Sequence, residues 1–381
     1  WMPLYVLDQN GGKSALDKAQ LAALDLSWET TQTFDFAIET RLFDRVNLSL
    51  GYYDKRAKDL LMGVKLPLSA GSYIWGDDSN MSQDKNIGTI SNRGFEIGVD
   101  VDILKGGDFR WNVGLDATFM SNKVVKLANH DDYIVSSLRI YREGQSLYKW
   151  YTYHFEGVDQ LTGTSLYTLD PEQEAAAEEA GALVTINGKN YTTRTQYGSK
   201  QYVGTALPTV YGAIKSNFAW KDLSVNLIFT YSLGGKMYDG TYARLMSTNT
   251  ASSASAMHTD LAKSWQAAPE GMTADSPNRI DPNGIPRVEF GNASSYNNAL
   301  SDRWLTNASY LVFKNINITY NLPKLYANTL GVSGIALSVG AENLFTLTSR
   351  RGMNPQYNFT GGYDYTYVTP RIYNIGLTLK F

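Results

Sequence analysis

The last residues of the chain alternate without interruption. Tyr373, Ile375, Leu377, Leu379 and Phe381 are apolar, and Asn374, Gly376, Thr378 and Lys380 between them are small or polar. Because successive side chains of a strand point to opposite faces, this period of two predicts a strand with one apolar and one polar side. The arrangement recurs upstream. Phe95, Ile97, Val99, Val101 and Ile103 interleave with Gly94, Glu96, Gly98, Asp100 and Asp102. Phe109, Trp111, Val113, Leu115, Ala117 and Phe119 interleave with Arg110, Asn112, Gly114, Asp116 and Thr118. Carboxylates at every second position cannot face a dry core unpaired. They can line a wet lumen while the opposite face meets hydrocarbon, so the expected fold is all-β, a transmembrane antiparallel β-barrel wall.

Nine such strands are expected, near 28–43, 45–62, 88–104, 108–126, 208–220, 222–238, 306–321, 334–349 and 367–381. A soluble sandwich also alternates, but its strands average only about 5–6 residues. Short turns at Phe43-Asp44-Arg45, Lys105-Gly106-Gly107 and Lys221-Asp222, and a modest one with Pro323, alternate with long polar loops at 63–87, 127–207, 239–305 and 350–366. Outer-membrane barrels have this asymmetry, with the long loops extracellular. Trp28, Trp111, Trp220, Tyr52, Tyr231, Tyr320 and Tyr373 stand near strand ends, where interfacial aromatic girdles belong. Segments 207–220 and 306–321 alternate less regularly, and the phase changes around Lys314 and Asn315 as a β-bulge would make it do. Nine is odd, whereas bacterial single-chain barrels have even strand numbers. With Trp1 opening the chain without a leader, the missing strands are expected ahead of residue 1.

Composition narrows the chemistry. A net charge of -3 without any basic run excludes a nucleic-acid partner. With no Cys, thiolate metal sites and cysteine nucleophiles are excluded. His130, His154 and His258 all fall in loops, and only His130-Asp131-Asp132 suggests a base beside other polar groups. A solvated loop tip accounts for it better. Asp275, Asp281 and Asn283 with Gly284 loosely suggest a calcium loop but lack the closing bidentate Glu. No catalytic residue, metal or cofactor is therefore expected. Ligand contacts are expected from loop aromatics, which stack on sugar faces or pack on peptides: Tyr73 and Trp75 with Asp77 and Asp78, and Tyr363, Tyr365 and Tyr367 at alternate positions. Support of the loop fold is the blander role for the same residues.

Several stretches, in order, resemble one family. They are Leu26-Ser27-Trp28-Glu29-Thr30-Thr31, Tyr52-Tyr53-Asp54-Lys55-Arg56 with Asp59-Leu60-Leu61, and Asn86-Ile87-Gly88 through Asn92-Arg93-Gly94-Phe95-Glu96. Trp111-Asn112-Val113, Ser121-Asn122-Lys123-Val124 and Ser232-Leu233-Gly234-Gly235-Lys236-Met237-Tyr238-Asp239 follow. Tyr310-Leu311 to Lys314-Asn315, Leu322-Pro323, Ala341-Glu342-Asn343-Leu344-Phe345-Thr346 and the closing Gly376-Leu377-Thr378-Leu379-Lys380-Phe381 complete the series. Together they resemble the SusC/RagA-like TonB-dependent outer-membrane transporters. The resemblance implies that residues 1–381 are the carboxy-terminal part of one barrel domain, the last nine strands of 22, whose plug and amino-terminal segments are not in this chain. It also implies import of a glycan, or in some systems a peptide. The implied partners are a capping SusD-like lipoprotein, the TonB-ExbB-ExbD complex acting through the absent segment, and outer-membrane lipid. By the same comparison Phe381 resembles a barrel-assembly signal. The loop 159–205 departs from the family pattern: Asp170 and Pro171 are expected to start a short Ala/Glu helix that stops at Gly181. Outside the resemblance, a passive porin-type barrel and a barrel enzyme or adhesin are the competing readings.

Overall fold

The computed structural model describes residues 2–20, 22–65, 82–86, 88–127, 133–136, 138–248, 256–350, 352–357, 362–363 and 367–381. Its principal element is a single antiparallel sheet of nine strands in which every strand pairs with its chain neighbours. These are β1 (Thr30–Leu42), β2 (Val46–Lys58), β3 (Gly88–Leu104), β4 (Phe109–Leu127), β5 (Val210–Trp220), β6 (Leu223–Leu233), β7 (Tyr310–Asn321), β8 (Gly334–Thr348) and β9 (Ile372–Lys380). All nine expected strands are present, though several are shorter at the loop end. Positive φ at Asp59, Gly234 and Gly235 ends β2 and β6 before the alternation does, and the residues beyond pair elsewhere.

Register aligns the apolar phases into continuous rows. One row runs Thr40, Leu48, Val99, Leu115, Ile214, Phe229, Phe313 and Phe345 across eight strands. Its flank at the short-turn end is aromatic, with Trp111 stacked on Phe218 at 5.5 Å and Phe109 beside Trp220. Slips between Phe313 and Asn315 on β7, facing Asn343 with φ 54 on β8, form the expected bulge. Lys314 Nζ donates to Asn343 Oδ1 at 2.9 Å there, giving the extra residues a partner.

The short turns are laced by charge. Phe43 and Asp44 adopt positive φ, and Lys105 from the next hairpin donates to the Asp44 carboxylate at 2.7 Å. Lys105 and Arg41 hold the Asp44 carboxyl below its usual value. One close approach constrains the wall itself: a Cβ on Gly212 would run into the main-chain carbonyl of Asp116, which cannot swing aside and already accepts from Tyr231 Oη at 2.9 Å. Gly212→Ala should therefore destabilise the barrel by about 1–3 kcal/mol, read as a lower temperature for loss of the folded gel band.

At the opposite end the described parts of the β4–β5 and β6–β7 connections fold together as a cap. A five-stranded sheet takes Leu183–Ile186, Lys189–Thr192, Ser165–Thr168 and Phe155–Asp159 from the first connection and Ile280–Asp281 from the second. Its core is Leu166, Ile186 and Tyr191. The expected helix is there as a 3-10 turn at Pro171–Gln173 leading into Glu174–Glu179, with Asp170 accepting from the Glu172 amide and Gly181 at φ 64. Asp159 and Arg279, both buried, join the two connections through paired bonds of 2.8 and 2.9 Å. Trp265 Nε1 donates to Gln160 O, and Tyr167 Oη donates to Tyr296 O. Burial pushes the Tyr167 phenol up to about 12.

Candidate functional site

The polar phase of the wall forms its inner face. Asn112, Asn217, Asn226 and Asn317 are consecutive partners on β4 to β7, and the row continues through Gly340 to Asn374. Asn217 Nδ2 donates to Asn112 Oδ1 at 3.2 Å, and Asn112 Nδ2 donates to Asp100 at 2.6 Å and Asp102 at 3.1 Å. Beside this row lies an open concavity of about 480 Å³ bearing Glu39, Arg41, Asp100, Asp116 and Lys215. Lys215 Nζ meets Asp116 Oδ2 at 2.7 Å, and Arg41 reaches Asp102 at 3.6 Å. Both pairs are partly exposed, so each contributes little to stability and leaves a hydrated, polar surface.

Near the cap the inner face changes character. Met120, Tyr211, Ser232 and Tyr310, from four adjoining strands, line a cavity of about 360 Å³. Ala206, Pro208, Gly234, Met237 and Ala308 complete it from the chain entering and leaving those strands, with Pro355 and Gln356 from the β8–β9 connection. Met237 is fully buried and packs on Met353 and Ala308, which makes that side of the cavity rigid. None of its lining residues is charged.

The expected ligand residues do not come together in the described structure. Tyr73, Trp75, Asp77, Asp78, Tyr365 and His130 lie outside the described residues. Tyr363 pairs in parallel with Asp239, and Tyr367 stands 98% exposed ahead of β9. Phe381 follows β9, also exposed. His154 Nδ1 meets Asp302 Oδ2 at 2.6 Å, while His258 caps the turn Thr259–Lys263; both are structural contacts. Asp281 Oδ1 accepts from the Asn283 amide, an ordinary turn, and no cluster of three metal-ligating side chains occurs among the described residues. Sequence reasoning missed Tyr211 and Tyr310. Their signal was present, because they sit in the two segments whose alternation is irregular.

No family model matches the chain. TonB-dependent receptor P3 of Formosa agariphila is 28% identical over 384 residues, covering 94% of this chain and 34% of the receptor. TonB-dependent receptor SusC of Bacteroides thetaiotaomicron is 22% identical over 397 residues, covering 100% of this chain and 35% of SusC. The RagAB peptide importer in its open-open state superposes with a TM-score of 0.76 at 20% identity, over 100% of this chain and 38% of that one. The chain is similar to TonB-dependent receptors, SusC among them, and shares its fold with the RagAB importer. This SusC-like segment spans about a third of the length of the curated relatives it matches. Among its described residues no helix is long and apolar enough to cross a membrane; Phe34, Phe36, Phe95, Ile375 and Leu377 are among the exposed apolar residues that lie on strands.

Proposed function

We propose that this SusC-like chain forms wall and mouth of an outer-membrane importer that takes up an oligosaccharide with a SusD-like lipoprotein as its cap. The observation that carries the reading is the two-faced sheet, whose largely apolar rows face outward while asparagines and carboxylates line the inside. The relatives support it, being named TonB-dependent receptors. Among the described residues β1 and β9 each pair on one side only, and unpaired strand edges are untenable in hydrocarbon, so other strands of the same barrel close the sheet. In this mechanism the lipoprotein delivers cargo to the lumen, and TonB, energised by ExbB and ExbD, displaces a plug borne by the rest of the protein. Phe381 serves as the signal for barrel assembly. Peptide cargo moved in the same way is the second reading, favoured by the uncharged cavity at the mouth.

The test is uptake of labelled oligosaccharides and peptides by cells with and without the receptor, each in TonB-competent and TonB-deficient backgrounds. Uptake lost on removing either the receptor or TonB is expected. Uptake that needs the receptor but survives loss of TonB would make it a passive porin.

A further inference from the structure

We infer that the short helix in the β7–β8 turn is a membrane foot, which sinks its apolar side into the headgroup boundary of the periplasmic leaflet and binds phospholipid there. The other turns at this end take only 43–45, 105–108 and 221–222, but this one runs from 322 to 333 and carries the helix Lys324–Thr329. Its place is fixed by a small core on the outside of the wall. Ile335 of β8 pairs with Leu379 of β9, in the same phase as the outward Leu337 and Leu377, yet it is buried. The turn is what covers it. Ala327, fully buried, and Val332 cluster with Ile335, and Leu322 packs against them. Gly331 turns the chain at φ 70, and the Val332 amide then donates back to Ala327 O at 3.1 Å. The helix therefore lies over the outer face of the sheet and not beneath its lumen. At 3.6 residues per turn, Leu325, Tyr326 and Leu330 fall on the side away from Ala327. Leu325 and Leu330 are 72% and 69% exposed, and Tyr326 is exposed beside them.

Large apolar groups gathered on one side of a helix mark a contact surface. Lipid is the contact this position supplies. Phe109, Trp220, Leu223 and Tyr320 are successive register partners on β4 to β7, and the turn starts two residues after Tyr320. Exposed aromatic groups such as Phe109, Trp220 and Tyr320 at a strand end mark the level where hydrocarbon gives way to headgroups. The helix continues that face outward from the row. Lys324 is the only charged residue from 322 to 333, so the turn is cationic and suits a phosphate-bearing headgroup. Helices of this kind bury their apolar side about 5–10 Å into the boundary. The foot thus holds the rim of β7 and β8 at a fixed depth.

The placement in lipid rests on the outer-membrane reading of the wall, so the experiment probes wall and helix separately. A nitroxide is attached to single cysteines in the intact receptor, held in vesicles of phosphatidylethanolamine and phosphatidylglycerol. Its collisions with oxygen, which dissolves in lipid, are compared with those of a neutral nickel chelate, which stays in water. Leu325→Cys and Leu330→Cys report on the helix, Leu377→Cys on the outer stripe of β9, and Glu178→Cys on the cap. The ratio of oxygen to nickel collisions at 325 and 330 should stand several-fold above that at 178, as it should at 377. Leu330→Asp leaves the Ala327 cluster untouched, yet it should lift the helix and open the label at 325 to nickel, with 377 unchanged. Water-like labels at 325 and 330 with a lipid-like label at 377 overturn the inference and leave the barrel standing. Water-like labels at all three positions bring down the outer-membrane reading with it. Shielding of 325 from both reagents means that a protein covers the helix, which overturns the lipid assignment. An unchanged label at 325 in Leu330→Asp overturns the inference too, since the wall alone would then set the depth.

Discussion

Replacing Arg279 by Ala should unfold the cap locally while leaving the wall intact. Asp159 is fully buried and accepts two bonds from the Arg279 guanidinium, one from the Leu161 amide and one from the Thr162 hydroxyl. Removing one partner of a buried pair leaves an uncompensated charge, at a cost of about 3–5 kcal/mol. That cost falls where the sheet strand Phe155–Asp159 pairs with Ile280–Asp281. Hydrogen exchange at 155–168 and 274–285 should therefore accelerate strongly, while β4 to β8 exchange as before. Arg279→Lys should recover only part of the loss, because an ammonium cannot make the paired, planar contact. Removing both charges with Asp159→Asn and Arg279→Met should be milder than Arg279→Ala alone, since no charge stays buried. Equal exchange in wild type and Arg279→Ala would show that the pair does not hold the cap.

The same pair sets a pH dependence. Burial alone would raise the Asp159 carboxyl, but the bonds from Arg279, Leu161 and Thr162 outweigh it and hold the group below the ordinary value. A carboxyl depressed in the folded state stabilises above its unfolded pKa of about 3.9 and loses that contribution as pH falls through the folded value. The cap should be insensitive to pH near neutrality and loosen below about pH 4.

How much of this was legible depended on the range of the information. The nine strands were readable because each carries its own two-faced pattern, and hydrocarbon on one side with water on the other leaves no choice of phase. The cap was not readable. Its sheet joins Val158 to Asp281 and Asp159 to Ile280, pairings that no local pattern announces, and its short strands look like polar loop. The mouth cavity stood between these cases. Tyr211 and Ala213 on β5, and Tyr310 and Val312 on β7, put apolar or aromatic groups on the inner phase, where polar residues were expected. That made 207–220 and 306–321 look like weak strands. At Tyr211 and Tyr310 the irregularity is the cavity lining itself, and an apolar or aromatic residue on the wet phase of a barrel strand is the sign to look for.

The face assignment itself is open to a sharp test on the last strand. Tyr373, Ile375, Leu377 and Leu379 of β9 point the same way and are 69%, 85%, 62% and 42% exposed. In register, Leu377 faces Leu337, which faces Tyr320. An apolar stripe of this kind needs a cover, and lipid is the cover the import reading supplies. Leu377→Arg would place a guanidinium in that stripe and should cost about 2–4 kcal/mol where the site lies near the bilayer midplane. Thr378→Arg turns the same group to the inner face, opposite Ala336, where water is available, and should cost far less. Reversible guanidinium unfolding in lipid vesicles, followed by tryptophan fluorescence, measures both. Equal penalties at these adjacent positions would mean that β9 has no lipid face, and the apolar rows across the other strands would then need a protein partner to cover them.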